Sequence, residues 1–462
     1  MEQVKDVEAE SSPGAGTSRG GTSAPDKVWT ISGRLQVRES EIDGEPQDRP
    51  LKGIEVKVSA RDATIVPWTS WGTVRTDADG DFTLKEANNG KSRFLRVRAR
   101  LVGNDLEVND SKLDDLASFD LLDENWRTVW ESNGQLEGPD VAIGTRVFDA
   151  GQPFDLGDAT SCRQALIWYV LRTAIDRLED EDPWFAMNGK IAAIYPAHVV
   201  SDLLGPSQSY ANGLTRMIYL NQGQPDTHWH PDVVLHEAMH LWNYFHNTGT
   251  TNWVGALCSG RGNLQVDLST HGYQENPNVA FHEGFAYWAS NALLHELWGV
   301  RLNKPLNRRE IAANQGLTTL EMVEQSDHGV ESALRLLRCD ERQGWWSHLF
   351  GTSETYPDNR PDDNANGVPD YPDEIGVKQR LDGRQVPSGP NSLSLWDILR
   401  TFRATPAEGW STDWQVGNVD YGVVRFIDRA VDIHDLGEDV RLMLKRCIDP
   451  LATDEPYEAL PK

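Results

Sequence analysis

The hydrophobic pattern predicts a multidomain chain, with an N-terminal antiparallel β-sandwich followed by an α+β domain that is mostly helical in its second half. Two observations carry this. Apolar residues recur with period two from Lys27 to about Arg146, and with helical period from about Asp158 onward. The length, 462 residues, fits two or three domains at roughly 100–200 residues each. Such a chain can bury a core without disulfides.

Residues 1–26 are rich in Ser, Gly, Glu and Pro, a composition expected to stay disordered. The sandwich is expected over residues 27–146. "GIEVKVSA" puts Ile54, Val56 and Val58 on one face, and "DFTLKE" does the same with Phe82 and Leu84. "RFLRVRARL" sets Leu95, Val97, Ala99 and Leu101 against a row of arginines. Gly and Asp turns separate these runs, as antiparallel strands with one wet face require. Residues 147–462 form the second domain. "ATSCRQALIWYVLRTAIDRLED" reads as an amphipathic helix entered through Thr160 or Ser161 as its cap. "KIAAIYPAHVV" and "GLTRMIYLNQG" read as strands. Helices follow at "PDVVLHEAMHLWNYFHN", at Val279–Leu297, and between "SLWDILRTFRA" and "DVRLMLKRC".

The formal net charge is −27, from 71 acidic and 44 basic residues, which disfavours a nucleic-acid partner. No run of about 18 apolar residues is present, so no membrane span is expected. Cys162, Cys258, Cys339 and Cys447 are widely spaced and fit either disulfides or buried thiols. The first residues hold no apolar signal core. Work outside the cytoplasm, with the signal absent from this sequence, is the expectation, and a cytoplasmic protein stays open. Oligomeric state is not readable.

The chemistry concentrates in "HEAMH". His236 and His240 lie four apart and share a helix face, the spacing with which two imidazoles grip one Zn²⁺. Glu237 sits beside the first histidine, placed as the general base that takes a proton from water and passes it to a leaving amine. Asp232 is a candidate cap for this helix. A third ligand is needed, with two candidates. His246 would give His-Glu-x-x-His-x-x-Asn-x-x-His, which requires the chain to turn back near Asn243. The stop signal, "NTGT", comes only later. A continuing helix leaves His246 about 80° away from His236, at about 100° per residue. Glu283, in "AFHEGFAYWAS", is the stronger candidate, because its helix packs against the first without a break.

"HEAMH" and "HEGFA", with 42 residues between His240 and Glu283, resemble the gluzincin branch of the zincin metallopeptidases. The His246 spacing resembles the metzincin pattern, with Asn243 where that pattern has glycine. The gluzincin resemblance implies a zincin-like catalytic domain that hydrolyses peptide bonds in a peptide or protein substrate. Zinc would be held by His236, His240 and Glu283, with Glu237 as base. It also implies a carboxylate four residues after the glutamate ligand, to orient a zinc-bound histidine. Tyr287 stands there instead, as an outer hydrogen-bonding group, an oxyanion donor or a packed core tyrosine. In this family "SQSYANGLTRMIYLNQG" holds the strand bordering the cleft, whose exposed edge pairs with substrate. Tyr210 is expected to be a turn residue before that strand, or else a cleft residue. His228, His230, His271 and Tyr273 are weaker candidates near the site, His282 is expected to be structural, and "HELW" at His295 and Glu296 lacks a second histidine and carries no signal.

"DDNANGVPDYPDE" fits a Ca²⁺ loop with Asp362, Asn364, Asn366, the Val368 carbonyl, Asp370 and Asp373 as oxygen ligands around Gly367. "TDADGDF" reads as a hairpin turn rather than a metal site. The strands of the first domain resemble the carboxypeptidase regulatory-like, transthyretin-like sandwich, which implies packing or adhesion rather than chemistry. The expectation is a zinc metallopeptidase, and the rival is a binding or adhesion protein with an inert zincin domain.

Overall fold

The computed structural model describes residues 27–39, 46–88, 93–109, 126–149, 159–187, 189–197, 209–213, 216–220, 231–243, 245–246, 277–299, 395–403 and 423–433, with positions 330, 331, 333, 334, 438, 441 and 445. The expected N-terminal disorder, the Ca²⁺ loop, His228, His230, His271, Tyr273, Cys258, Cys339 and Cys447 lie outside them.

Among the described residues, three four-stranded sheets are formed. The first joins β1 (Lys27–Glu39), β2 (Gln47–Pro50), β5 (Asp81–Asn88) and β9 (Asp140–Asp149). The second joins β3 (Glu55–Arg61), β4 (Thr69–Arg75), β6 (Phe94–Arg100) and β8 (Arg127–Glu131). Period two is what buries them. Trp29, Ile31, Leu35 and Val37 of β1 are buried, and so are Val56 and Val58 of β3 and Leu95 and Val97 of β6. Gly33 interrupts the row in β1. A Cβ there would run into Ile143 of β9, at the point where the register of the two strands shifts. Asp77 shapes the turn before β5, its carboxylate accepting the backbone N–H groups of Asp79 and Asp81.

The sandwich is not purely antiparallel, because β9 runs parallel to β1. Its chain returns from the second sheet to the first and enters beside β1 in the same direction. Nor do residues 27–146 form only a sandwich. The strand β7 (Leu106–Asn109) pairs parallel with β10 (Ile191–Ile194), in a third sheet ordered β11-β12-β10-β7. There β11 is Tyr210–Asn212 and β12 is Met217–Tyr219.

The helix α1 (Ala159–Glu181) lies between sandwich and site. It begins at Ala159, so Thr160 and Ser161 sit in its first turn rather than ahead of it as caps. Trp168 Nε1 donates to the Lys52 carbonyl at 3.0 Å, and Arg172 Nη1 donates to both carboxylate oxygens of Asp105 at 2.6 Å. Cys162 is buried on this helix. Two further helices carry the candidate site, α2 (Pro231–Asn243) and α3 (Pro277–Trp298). They meet through Trp242 and Phe285, whose rings stack at 5.9 Å. Arg177 of α1 bonds Glu296 of α3 at 2.7 Å. It also lies over Trp396 of α4 (Leu395–Arg403), and α4 contacts α5 (Val423–Ile433). No described helix is long and apolar enough to cross a membrane.

Candidate metal centre

α2 opens with Pro231 at its first position, where the missing N–H costs nothing. Asp232 therefore lies within the first turn rather than at the cap, where its charge favours the helix N-terminus. Val234, Leu235, Ala238, Met239, Leu241 and Trp242 bury the helix nearly all round. His236 and His240 are consequently fixed in low-dielectric surroundings. α3 brings Glu283 to them from 43 positions along the chain.

The three donor atoms form a small triangle. His236 Nε2 and His240 Nε2 are 3.0 Å apart, and Glu283 Oε2 is 3.3 Å from the first and 3.1 Å from the second. A tetrahedral ion at about 2.0–2.1 Å from each ligand would separate them by about 3.3 Å. The observed edges therefore fit one ion above the plane of the triangle. Among the described residues, this is the only cluster of three or more His, Cys, Asp or Glu side chains that could share a metal ion.

The charges fit a cation as well. Burial, with His240 nearby, lowers the pKa of His236. Burial opposes charge on His240 too, but Glu283 and Glu237 outweigh it and raise its value to about 9. Burial likewise opposes ionisation of Glu283, yet His240 and His236 hold it well below the usual carboxylate range. The triangle thus keeps an ionised carboxylate against two imidazoles, a donor set in which a divalent cation can replace the positive charge. Glu237 is buried beside it, and burial is what pushes its pKa up to about 7. Its carboxylate accepts the backbone N–H of Ala211 in β11, the edge strand of the third sheet.

The other predicted residues fall as follows. His246 is not brought to the triangle. Residues 245–246 lie in a π turn, and the His246 ring lies 4.6 Å from that of Trp242. No reversal occurs at Asn243, which is buried and still helical. Tyr287 lies one turn after Glu283, its ring 4.3 Å from the His236 ring, and it is 37% exposed. It is therefore neither core nor remote. His236 Nδ1 is buried with no hydrogen-bond partner among the described residues. Tyr210 is not in a turn but in β11, stacked on Tyr219 across the strand pair at 4.5 Å. The contact between Ala211 and Glu237 has no signature in the sequence, because a three-residue strand shows too little alternation to be recognised.

No model of a known protein family matches the sequence, and no curated protein matches it. Solved structures share limited similarity with the chain, among them the following two. One is a 9R-lipoxygenase from Cyanothece PCC8801, 15% identical over 42% of this chain, with a TM-score of 0.17. The chain spans 27% of that protein's length. The other is the dioxygenase domain of a dioxygenase and carbohydrate-binding protein fusion from Streptomyces sp. SirexAA-E. It is 23% identical over 28% of this chain and 84% of that domain, with a TM-score of 0.14. Similarities of this size assign no fold to the chain. Its own geometry is a three-donor group that could hold a metal ion, with a buried acid beside it.

Proposed function

We propose that the chain is a zinc-dependent peptidase of the zincin type. The observation that carries the reading is the triangle of His236, His240 and Glu283 with Glu237 next to it. Two histidines and one carboxylate suit Zn²⁺ and leave a fourth position for a ligand. The same donor set also serves non-haem ferrous iron. Glu237 favours hydrolysis, because oxygen chemistry has no need of a buried carboxyl group next to the ligands. When bound, the ion would supply Lewis acidity, lowering the pKa of water and polarising a carbonyl.

The chain's own residues would do the rest. Glu237, with a pKa raised to about 7, is poised to take a proton from water and return it to the leaving amine. The bond from Ala211 fixes that carboxylate against the edge strand. Among the described residues β11 is the edge strand of its sheet, and an extended peptide laid along such an edge would lie beside Glu237. A metzincin-type site through His246 is disfavoured by the packing of that ring, tilted, against Trp242.

The test pairs metal analysis with digestion of an unfolded protein substrate. The purified chain should carry about one zinc and cleave, and a chelator should abolish cleavage. Glu237→Gln should keep the zinc and lose about 10²- to 10⁴-fold in rate. Iron in place of zinc, or a Glu237→Gln variant as active as the parent, would refute the proposal.

A further inference from the structure

The edge strand beside Glu237 carries an aromatic pair that the chemistry of the metal centre does not use. Tyr210 of β11 and Tyr219 of β12 lie opposite one another in the strand pair. Their rings stack at 4.5 Å, with 10° between the planes. The residues that alternate with them point the other way. Ile218, opposite Ala211, is buried, and so are Ala193 and Val108 beside it on β10 and β7. Tyr210 and Tyr219 are half-buried, as is Ile194 beside Tyr219. The third sheet therefore turns one face to the core and keeps the tyrosines on a half-open face.

The pair is held in place. The Tyr219 hydroxyl donates to Met217 Sδ at 3.1 Å, on the same face of β12. Burial, with Tyr219 beside it, pushes the Tyr210 hydroxyl up to about 12, so the ring stays neutral. Tyr219 covers one side of the Tyr210 ring and is its only ring partner among the described residues. The other side is directed off the edge of the sheet. The peptide groups set the register along that edge. The Ala211 N–H is spent on Glu237 rather than on β12. In an antiparallel pair, successive residues direct their peptide groups alternately to the partner and away from it, so Ala211 faces outward, toward the base. A peptide laid along this edge places one residue opposite Ala211, nearest Glu237, and its neighbour opposite Tyr210. Directly opposed side chains share a face whichever way the peptide runs, so the neighbour's side chain lies against the outer side of the Tyr210 ring.

We propose that Tyr210, backed by Tyr219, determines specificity at this site by selecting an aromatic side chain on the substrate residue that lies opposite it. Such selection rests on the peptidase reading of the site. A third ring would extend the row Tyr219–Tyr210 across one more strand, the arrangement in which aromatic side chains pair in a sheet. A stacked or edge-on ring pair is worth about 2- to 12-fold in binding beyond the apolar contact that an aliphatic side chain also makes.

Digestion of a peptide library by the full, zinc-loaded chain, with the cuts mapped by mass spectrometry, tests it. Phenylalanine, tyrosine and tryptophan should be enriched at one fixed position near the cut bond. For a matched pair of peptides, kcat/KM should be about 2- to 12-fold higher with phenylalanine than with leucine at that position. Tyr210→Ala should bring this ratio to about one with zinc content unchanged, and Tyr210→Phe should keep it, since the ring is what selects. Tyr210→Thr, a residue suited to strands, provides a second variant should Tyr210→Ala fold poorly. Cleavage without a fixed aromatic position would overturn the subsite and leave the peptidase reading standing. So would an aromatic preference that survives the loss of Tyr210, or a Tyr210→Ala variant that slows every peptide equally, the mark of a merely structural role. No cleavage of any peptide by the zinc-loaded chain would overturn both.

Discussion

The sandwich and the α2–α3 pair place their charges in opposite ways. In the sandwich, β1, β3 and β6 send apolar side chains inward, and pairs such as Arg38 with Asp48 stay near the surface, while the buried Glu39 keeps Arg49 beside it. In the helix pair, His236 and Glu237 are buried and Glu283 reaches into the same space, among Leu235, Ala238, Phe281 and Phe285. Desolvating ionisable groups is expensive unless they pair with one another or coordinate a metal. The sandwich follows the rule for stability. The helix pair departs from it, and a departure of that kind is the mark of a site.

The sharpest way to break the contrast is to remove the ligand from the second helix. On the proposed function, Glu283→Ala should leave two histidines unable to retain zinc, and the proposed peptidase activity should fall about a thousandfold or more. The sandwich should not notice. Metal content and far-ultraviolet circular dichroism on the same sample check both halves of that statement. Full zinc in Glu283→Ala would move the third ligand elsewhere.

The reciprocal change belongs in the sandwich. Trp29 is 1% exposed and packs edge-on against Trp71 at 5.7 Å. Trp29→Ala should cost about 3–5 kcal/mol of stability. Zinc per folded chain should stay the same. Calorimetry adds a finer reading. Because Trp168 and Arg172 tie α1 to Lys52 and Asp105, and β7 pairs with β10, the two regions should melt in one transition. Two separate transitions would mean that these ties do not couple them.

The same contrast explains what could be read from the sequence. The strands of the sandwich were legible because alternation is local: Val56, Val58 and Ala60 declare a face without knowledge of any partner. α1 was legible for the same reason. The parallel pairing of β9 and the departure of β7 were not, since both depend on where distant chain returns. At the site, the spacing of His236 and His240 is local and their shared face could be derived. Glu283 was reachable through its family-like context and through a helix able to pack on the first, and the Ala211 contact not at all. Tyr287 was visible as a departure from the family pattern, but its ring contact with His236 needed the packing of α2 on α3.

That departure can be reversed. His236 Nδ1 lacks a partner among the described residues, and Tyr287 occupies the position where a carboxylate is expected. Outer carboxylates fix the ring of a metal-bound histidine and are worth about 10- to 100-fold in affinity. Tyr287→Asp should therefore tighten zinc binding by about tenfold, measured by competition with a chromophoric chelator. Tyr287→Phe should change affinity little if the tyrosine acts on His236 through its ring. A large loss in Tyr287→Phe would show instead that the hydroxyl is the working group.

The smallest expected effect comes from His246, and its size is what makes it informative. Its ring lies 4.6 Å from Trp242, which in turn contacts Phe185 and Phe285 and donates through Nε1 to the Phe185 carbonyl. This is an aromatic packing role within the ring cluster of Trp242, Phe185 and Phe285. His246→Ala should then remove a ring contact worth about 0.5–1.5 kcal/mol. Zinc content and rate should remain at parental values. His246→Phe should restore the stability, since a phenyl ring keeps the packing but cannot ligate. Zinc loss in both variants would place His246 on the metal and require the chain to reverse at Asn243. Recovery of stability by phenylalanine with zinc intact would assign the third histidine of the motif to the side of the helix that behaves like the sandwich.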